Sequence, residues 1–201
     1  MEASIFWNII AQYNTQTIYV QIALFVLLAI SVAVSYKKRK GWACKMMLSF
    51  LNLFIGIAFF IQFGTEPIQN YFALPLYILV GVLFAYETIK TRDDALNKPT
   101  PVQLFLAGLY LAYPLVSMAC GNEFPRMVTH IMPCPVATIS IVLYSLYNKK
   151  NPILMGLLAV WGLTGVKAIP FKAYEDLILL AAGIYGVYHT YLILRKNRKC
   201  S

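Results

Sequence analysis

An all-α integral membrane bundle of seven transmembrane helices, N-terminus outside and C-terminus cytoplasmic, is the fold class this sequence predicts. Three observations predict it. The 201-residue chain is 60% hydrophobic and 12% charged, whereas about a quarter of a soluble domain is charged. Seven stretches carry no charge at all: 17–36, 46–65, 67–86, 99–122, 131–148, 151–166 and 177–194. A spanning helix needs about 20 mostly apolar residues, so these are seven candidate spans, two of them short. Finally, an outside N-terminus leaves only Arg126, Lys167 and Lys172 of the 17 Lys and Arg on the outer face. Positive charge is retained on the cytoplasmic side during insertion, so the orientation follows. The net charge of +9 is thereby a topology signal that leaves room for anionic lipid. The lipid bilayer is the expected partner, and nucleic acid is not. Residues 1–201 read as one membrane domain.

The elements follow in order. Residues 1–16 hold no Lys or Arg, so they lack the positive region of a cleavable signal peptide. Ile5, Phe6, Ile9, Ile10 and Tyr13 recur at helical spacing, which predicts a short helix lying in the outer interface. Spans are expected at about 17–36, 44–65, 68–87 and 101–120, then 133–148, 152–170 and 174–194. Tyr36 and Trp42 flank the first inner loop at headgroup level. Small residues four apart, Gly108 with Ala112 and Ala182 with Gly186, predict close helix seams. Asn52 lies mid-span and needs an interhelical hydrogen bond. The stretch 87–100, ETIKTRDDALNKPT, mixes charges and reads as a solvated connector. Tyr77, Tyr110, Tyr113, Tyr144, Tyr185 and Tyr188 give a tyrosine-rich interior. His189 falls near the inner end of span seven, with no carboxylate close by in sequence.

Spans five and six are the informative ones. Proline lacks the amide proton that later helical turns use, so Pro133 and Pro135 must sit in a first turn. From Pro133 to Asn148 the helix is about 24 Å long, against about 30 Å of hydrocarbon. Span six begins at Pro152 and meets Lys167 early, with Pro170 soon after. Two successive helices thus stop short on the outer side. Irregular backbone at membrane depth is tolerated only when buried in protein or lining a cavity. An outer-facing cavity is therefore expected near His130, Met132, Cys134, Lys167 and the start of span seven.

Candidate chemistry gathers around that break. Glu66, Glu175 and Asp176 with Lys167 would make a charged mouth, so the expected ligand-binding set is His130, Cys134, Lys167, Glu175, Asp176 and Glu66. An oxidising exterior would allow a Cys120–Cys134 disulfide, worth about 3 kcal/mol in the chain-entropy model. Met118, Cys120, Met127, His130, Met132 and Cys134 form a soft-ligand inventory. A copper(I)-like set of His130, Cys134 and Met132 is the candidate metal site. No nucleophilic triad, Walker loop, paired-His zinc motif or CxxC is present, and no motif names a cofactor. The absence of lysine between Leu177 and Leu194 argues against a retinal protein.

Phe6-Trp7, Tyr13-Asn14 and Gln21, then Tyr113-Pro114, Gly121, Pro125, Pro133-Cys134-Pro135, Thr138 and Glu175-Asp176 form a further pattern. It resembles an uncharacterised family of bacterial multi-pass membrane proteins known by a domain of unknown function. The Pro-Cys-Pro block opening a helix is its most specific part. Val136 and Ala137 depart from it, since threonine-rich residues are expected there. The resemblance implies a protein of the bacterial cytoplasmic membrane and carries over no catalytic residue. The function expected is non-enzymatic: binding or passage of a small polar solute or ion through the outer cavity. Two other readings stay open, a redox or soft-metal-handling protein using Cys134 and His130, and a structural or partner-binding membrane subunit.

Overall fold

The computed structural model describes residues 3–37 and 40–200. Met1, Glu2, Lys38 and Arg39, part of the N-terminal segment and the first basic loop, lie outside the described residues. Among the described residues there is no strand, only an isolated antiparallel bridge between Leu96 and Tyr147. Helix α1 spans Ala3–Lys37 and α2 Trp42–Phe54, which continues as a π-helical stretch, Ile55–Ile61. A second π-helical stretch, Gln69–Ala73, leads into α3 (Leu74–Lys90). Then come α4 (Pro101–Ala119), α5 (Pro133–Ser145), α6 (Pro152–Leu163), the one-turn α7 (Ala168–Phe171) and α8 (Leu177–Cys200). Five helical segments are long and apolar enough to cross a membrane: Ser4–Lys37, Trp42–Ile61, Gln69–Lys90, Pro101–Ala119 and Tyr174–Lys196. Two apolar helices are shorter, Pro133–Ser145 and Pro152–Lys167.

Residues 1–16 do not form the separate interfacial helix that their spacing predicts. From Ala3 onward they are continuous with the first span, because no glycine or proline interrupts residues 3–37. At 35 residues α1 is about 52 Å long, well over the roughly 30 Å of hydrocarbon, and its first turns lie at one end of the bundle. Ile9, Ile10, Tyr13 and Asn14 are buried there against other elements. We call this the upper end.

Helix α4 starts where Thr100 and Gln103 form a reciprocal capping box ahead of Pro101. Helix α6 starts at Asn151, whose side chain accepts from the Ile153 amide at 2.9 Å. Helix α5 starts at Pro133 with Met132 extended before it. It is 13 residues, about 20 Å, and every residue except Cys134 is buried. An apolar helix covered on all sides sits at a core; α5 packs against α2, α4, α6 and α8. Asn52 of α2 makes its expected interhelical bond here, donating to Ser140 Oγ at 3.2 Å.

Only one of the two predicted small-residue seams packs. A Cβ on Gly186 would stand 3.1 Å from the Ala159 Cβ, whereas one on Gly108 would meet nothing within 4 Å. Gly108 faces outward because α4 lies at the edge of the bundle. The closest crossing is one that spacing did not single out: a Cβ on Gly183 would lie 2.4 Å from the Gly162 carbonyl carbon. Helices α6 and α8 touch there backbone to backbone.

At the lower end, residues 87–100 are a solvated connector only in part: Arg92, Asp93 and Lys98 are exposed. Glu87 and Asp94 are buried, and so is Lys45. The Lys45 ammonium lies 4.0 Å from Asp94 Oδ2 and 4.3 Å from the Tyr147 ring centre, and it donates to Thr91 Oγ1. Asp94 also accepts from the Lys149 amide at 2.8 Å. Asn97 donates its side chain to the Leu146 carbonyl at 2.8 Å, and Tyr147 donates to the Gly41 carbonyl at 2.6 Å. The segment is drawn in because its polar groups close the lower ends of four helices. Lys150 is held nearby by the Ser145 carbonyl at 2.9 Å, and burial pushes its pKa down.

Two stability outcomes follow. Gly183→Ala should lower the thermal unfolding midpoint in detergent, at a cost of about 1–3 kcal/mol from overpacking, while Gly108→Ala should leave it unchanged or raised. Lys45→Met should cost about 3 kcal/mol or more, because it leaves Glu87 and Asp94 buried without their cation. Thermal and denaturant unfolding followed by circular dichroism measure the two.

Candidate functional site

Because α5 begins and α6 ends below the upper rim, the bundle encloses a cavity of about 320 Å³ there. Seven stretches wall it: the start of α1, the π-helical end of α2, the π-helical entry to α3, the loop before α5, the start of α5, the end of α6 and the turn before α8. Most of the wall is apolar. Trp161 stacks on Phe72 at 6.4 Å and meets Phe60 edge-on at 5.9 Å, with Phe6, Ile9, Ile10 and Phe59 completing that side.

The loop over the cavity, residues 121–132, is tied down by α1. Asn14, fully buried, donates to the carbonyls of Pro125 and Met127, each at 2.8 Å. Its Oδ1 accepts from Gln21 at 3.1 Å and from Thr129 at 3.2 Å. Tyr13 donates to the Ile131 carbonyl at 2.7 Å. Thus the otherwise unpaired loop carbonyls find partners, as buried backbone must. Tyr77 of α3 donates to the Pro133 carbonyl at 2.5 Å and locates the start of α5.

The polar groups converge on one corner. The Cys134 thiol, the one half-exposed residue of α5, donates to Asp176 Oδ2 at 3.3 Å. Asp176 Oδ1 is buried without a hydrogen-bond partner. Gly165 lets the end of α6 close on this turn: a Cβ there would stand 2.6 Å from the Asp176 carbonyl. Glu66 and Lys167 line the cavity as well, and Lys167 is exposed. Among the described residues no ion pair joins Lys167 to either carboxylate.

Of the residues expected at the site, Cys134, Met132, Lys167, Asp176 and Glu66 line this cavity, while His130 and Glu175 do not. His130 is turned into the groove between α1 and α4. It stacks on Phe25 at 4.4 Å, with Nε2 3.2 Å from the Leu111 carbonyl. Burial lowers its pKa, which favours the neutral imidazole. Glu175 is fully buried and accepts from Ser117 Oγ at 2.8 Å and from Asn122 at 3.3 Å. It ties the end of α4 to α8.

Two expectations are corrected by these positions. Cys120 and Cys134 are free thiols: Cys120 closes α4 on the exposed surface, while Cys134 points inward from the first turn of α5. The metal set does not assemble either, and no group of three or more His, Cys, Asp and Glu is gathered among the described residues. His130 leaves for its aromatic groove, and the Met132 sulfur already accepts from the Thr129 amide at 3.2 Å. Nor is Cys134 set up as a nucleophile. A thiolate is stabilised by a nearby cation, and the group bonded to this thiol is a carboxyl.

Sequence reading missed the aromatic wall and the clamp made by Asn14 and Gln21. A signal existed for the clamp, since two amides seven apart share one face of α1. For Phe6, Phe72 and Trp161 there was none, because aromatic residues occur throughout the spans. Asn14→Ala should cost about 1–3 kcal/mol by orphaning two carbonyls. Hydrogen exchange across residues 121–132 should rise with it, more than exchange in α5.

Neither curated proteins nor solved structures give a match to this chain. A family model matches residues 3–200, nearly the whole chain. The protein belongs to DUF6064, a family of unknown function.

Proposed function

We propose that this chain is a seven-span protein of the bacterial cytoplasmic membrane, N-terminus outside, that binds a small solute in its outer-facing cavity. One observation carries the reading: the cavity lies where α5 and α6 stop short, and Cys134, Asp176, Glu66 and Lys167 all line it. At about 20 Å for α5 and about 18 Å for α6, both helices fall short of the hydrocarbon thickness of about 30 Å. Membrane proteins place irregular backbone at such depth where it lines a site. The distribution of Lys and Arg supports an outside upper end.

Binding is favoured over open passage. Below Cys134, α5 is covered on every side, and the Asn52–Ser140 contact crosses the middle of the bundle. The Lys45–Asp94 cluster closes the lower end. Solute movement through this fold would need a second arrangement of its helices.

Thiol labelling in intact cells tests the proposal. An impermeant maleimide should modify Cys120 from outside. A small methanethiosulfonate should also reach Cys134 in the native protein, whereas buried Cys44 should react only after denaturation. Labelling of Cys120 only after permeabilisation would reverse the orientation. A native Cys134 that never reacts while Cys120 does would remove the open cavity.

A further inference from the structure

We propose that the cavity selects an amphiphilic organic cation, an amine or quaternary ammonium carried on an apolar body, with its positive group beside Asp176. This inference deepens the cavity reading and rests on it. Three observations point to this class together. Asp176 has one carboxyl oxygen engaged by the Cys134 thiol and the other buried with no partner. A buried carboxylate without a counter-charge is costly, and a ligand cation would offset that cost. Among the described residues the only other carboxylate on the cavity is Glu66, and the only cation is Lys167. Among the described residues Lys167 is exposed and forms no ion pair with either, so water screens its charge, while Asp176 Oδ1 is buried. Carboxyl groups therefore outnumber cations on the described cavity wall.

The wall suits the same ligand. Trp161, Phe60, Phe59, Phe72 and Phe6 present rings to a space of about 320 Å³. The faces of such rings attract cations, most strongly when the cation is desolvated. An apolar body would cover the remaining aliphatic surface, as in most small-molecule sites. An anionic amphiphile would set like charge against Asp176 and Glu66. A neutral one would offer Asp176 a hydrogen bond at most and no counter-charge.

A matched probe series distinguishes these cases: 4-tert-butylbenzylammonium, 4-tert-butylbenzyl alcohol and 4-tert-butylbenzoate share one body and differ in head group. The full chain, with Cys120 and Cys200 changed to serine, is purified in a neutral maltoside detergent. Protection of Cys134 against a small methanethiosulfonate is then read for each probe, relative to the unprotected rate of the same variant. The ammonium compound should protect at a concentration at least tenfold below the alcohol, and the benzoate should protect least. Asp176→Asn should erase most of that tenfold preference and leave protection by the alcohol intact. Phe72→Leu, at the exposed rim, should weaken the ammonium more than the alcohol. This variant, with the wild-type ranking, decides the matter if Asp176→Asn fails to fold.

Equal protection by ammonium and alcohol overturns the cation proposal and leaves the cavity reading standing. So does preference for the benzoate, or a Cys134 that reacts freely and is protected by no probe. Absence of any Cys134 labelling in the folded protein overturns both.

Discussion

A buried backbone group must have a hydrogen-bond partner, and the upper half of this protein is organised around that requirement. Pro133 and Pro135 force α5 to begin low, so residues 121–132 must descend into the bundle as irregular chain. Their carbonyls are met by Tyr13 and Asn14, with Gln21 bracing Asn14 and Thr129. Tyr77 meets the Pro133 carbonyl itself. The length of α1 serves the same requirement. Its first turns are the wall that pairs with the loop, and its Phe6, Ile9 and Ile10 close the cavity on that side. Starting α5 low leaves a vacancy at the rim, and the cavity is the space that remains once these loop carbonyls are paired.

The two ends of the bundle handle charge differently. At the lower end Lys45 is fully buried but surrounded by Asp94, Thr91 and the Tyr147 ring. A buried charge with partners can persist, though its attraction roughly balances the cost of dehydration. Its effect is to hold the connector 87–100 against the starts of α2 and α6. At the upper end one oxygen of Glu175 accepts from Ser117 and Asn122, and one oxygen of its neighbour Asp176 accepts from Cys134; the second oxygen of each is buried without a partner. Adjacent acids in one turn differ in what they face. Glu175 joins α4 to α8, and Asp176 faces the cavity with an oxygen to spare.

Much of the fold was legible before any coordinates. Charge-free runs marked the helices, and the proline positions located the start of α5. The early ends of α5 and α6 predicted where space would open, and Cys134, Met132, Lys167, Asp176 and Glu66 were named for it. The candidate site was less legible in its details. His130 was included because it lies four residues before Cys134, but the chain is extended at Met132, and extension turns His130 toward Phe25. Cys120 and Cys134 bracket one loop in sequence, yet the loop does not bring their thiols together. The connector 87–100 looked solvated because charge counted along a chain does not reveal which charges face inward.

By itself the sequence determined the helical class, the approximate helix lengths and the break at Pro133. These depend on local quantities: hydropathy over a window, the missing proline N–H, and rise per residue. Tertiary structure alone decided which side chains meet. The Cys134–Asp176 contact, the Lys45–Asp94 pair, the Gly162–Gly183 crossing and the aromatic wall each depend on how helices far apart in sequence are rotated about their own axes. That rotation is set by packing over the whole bundle, and no window of the chain contains it.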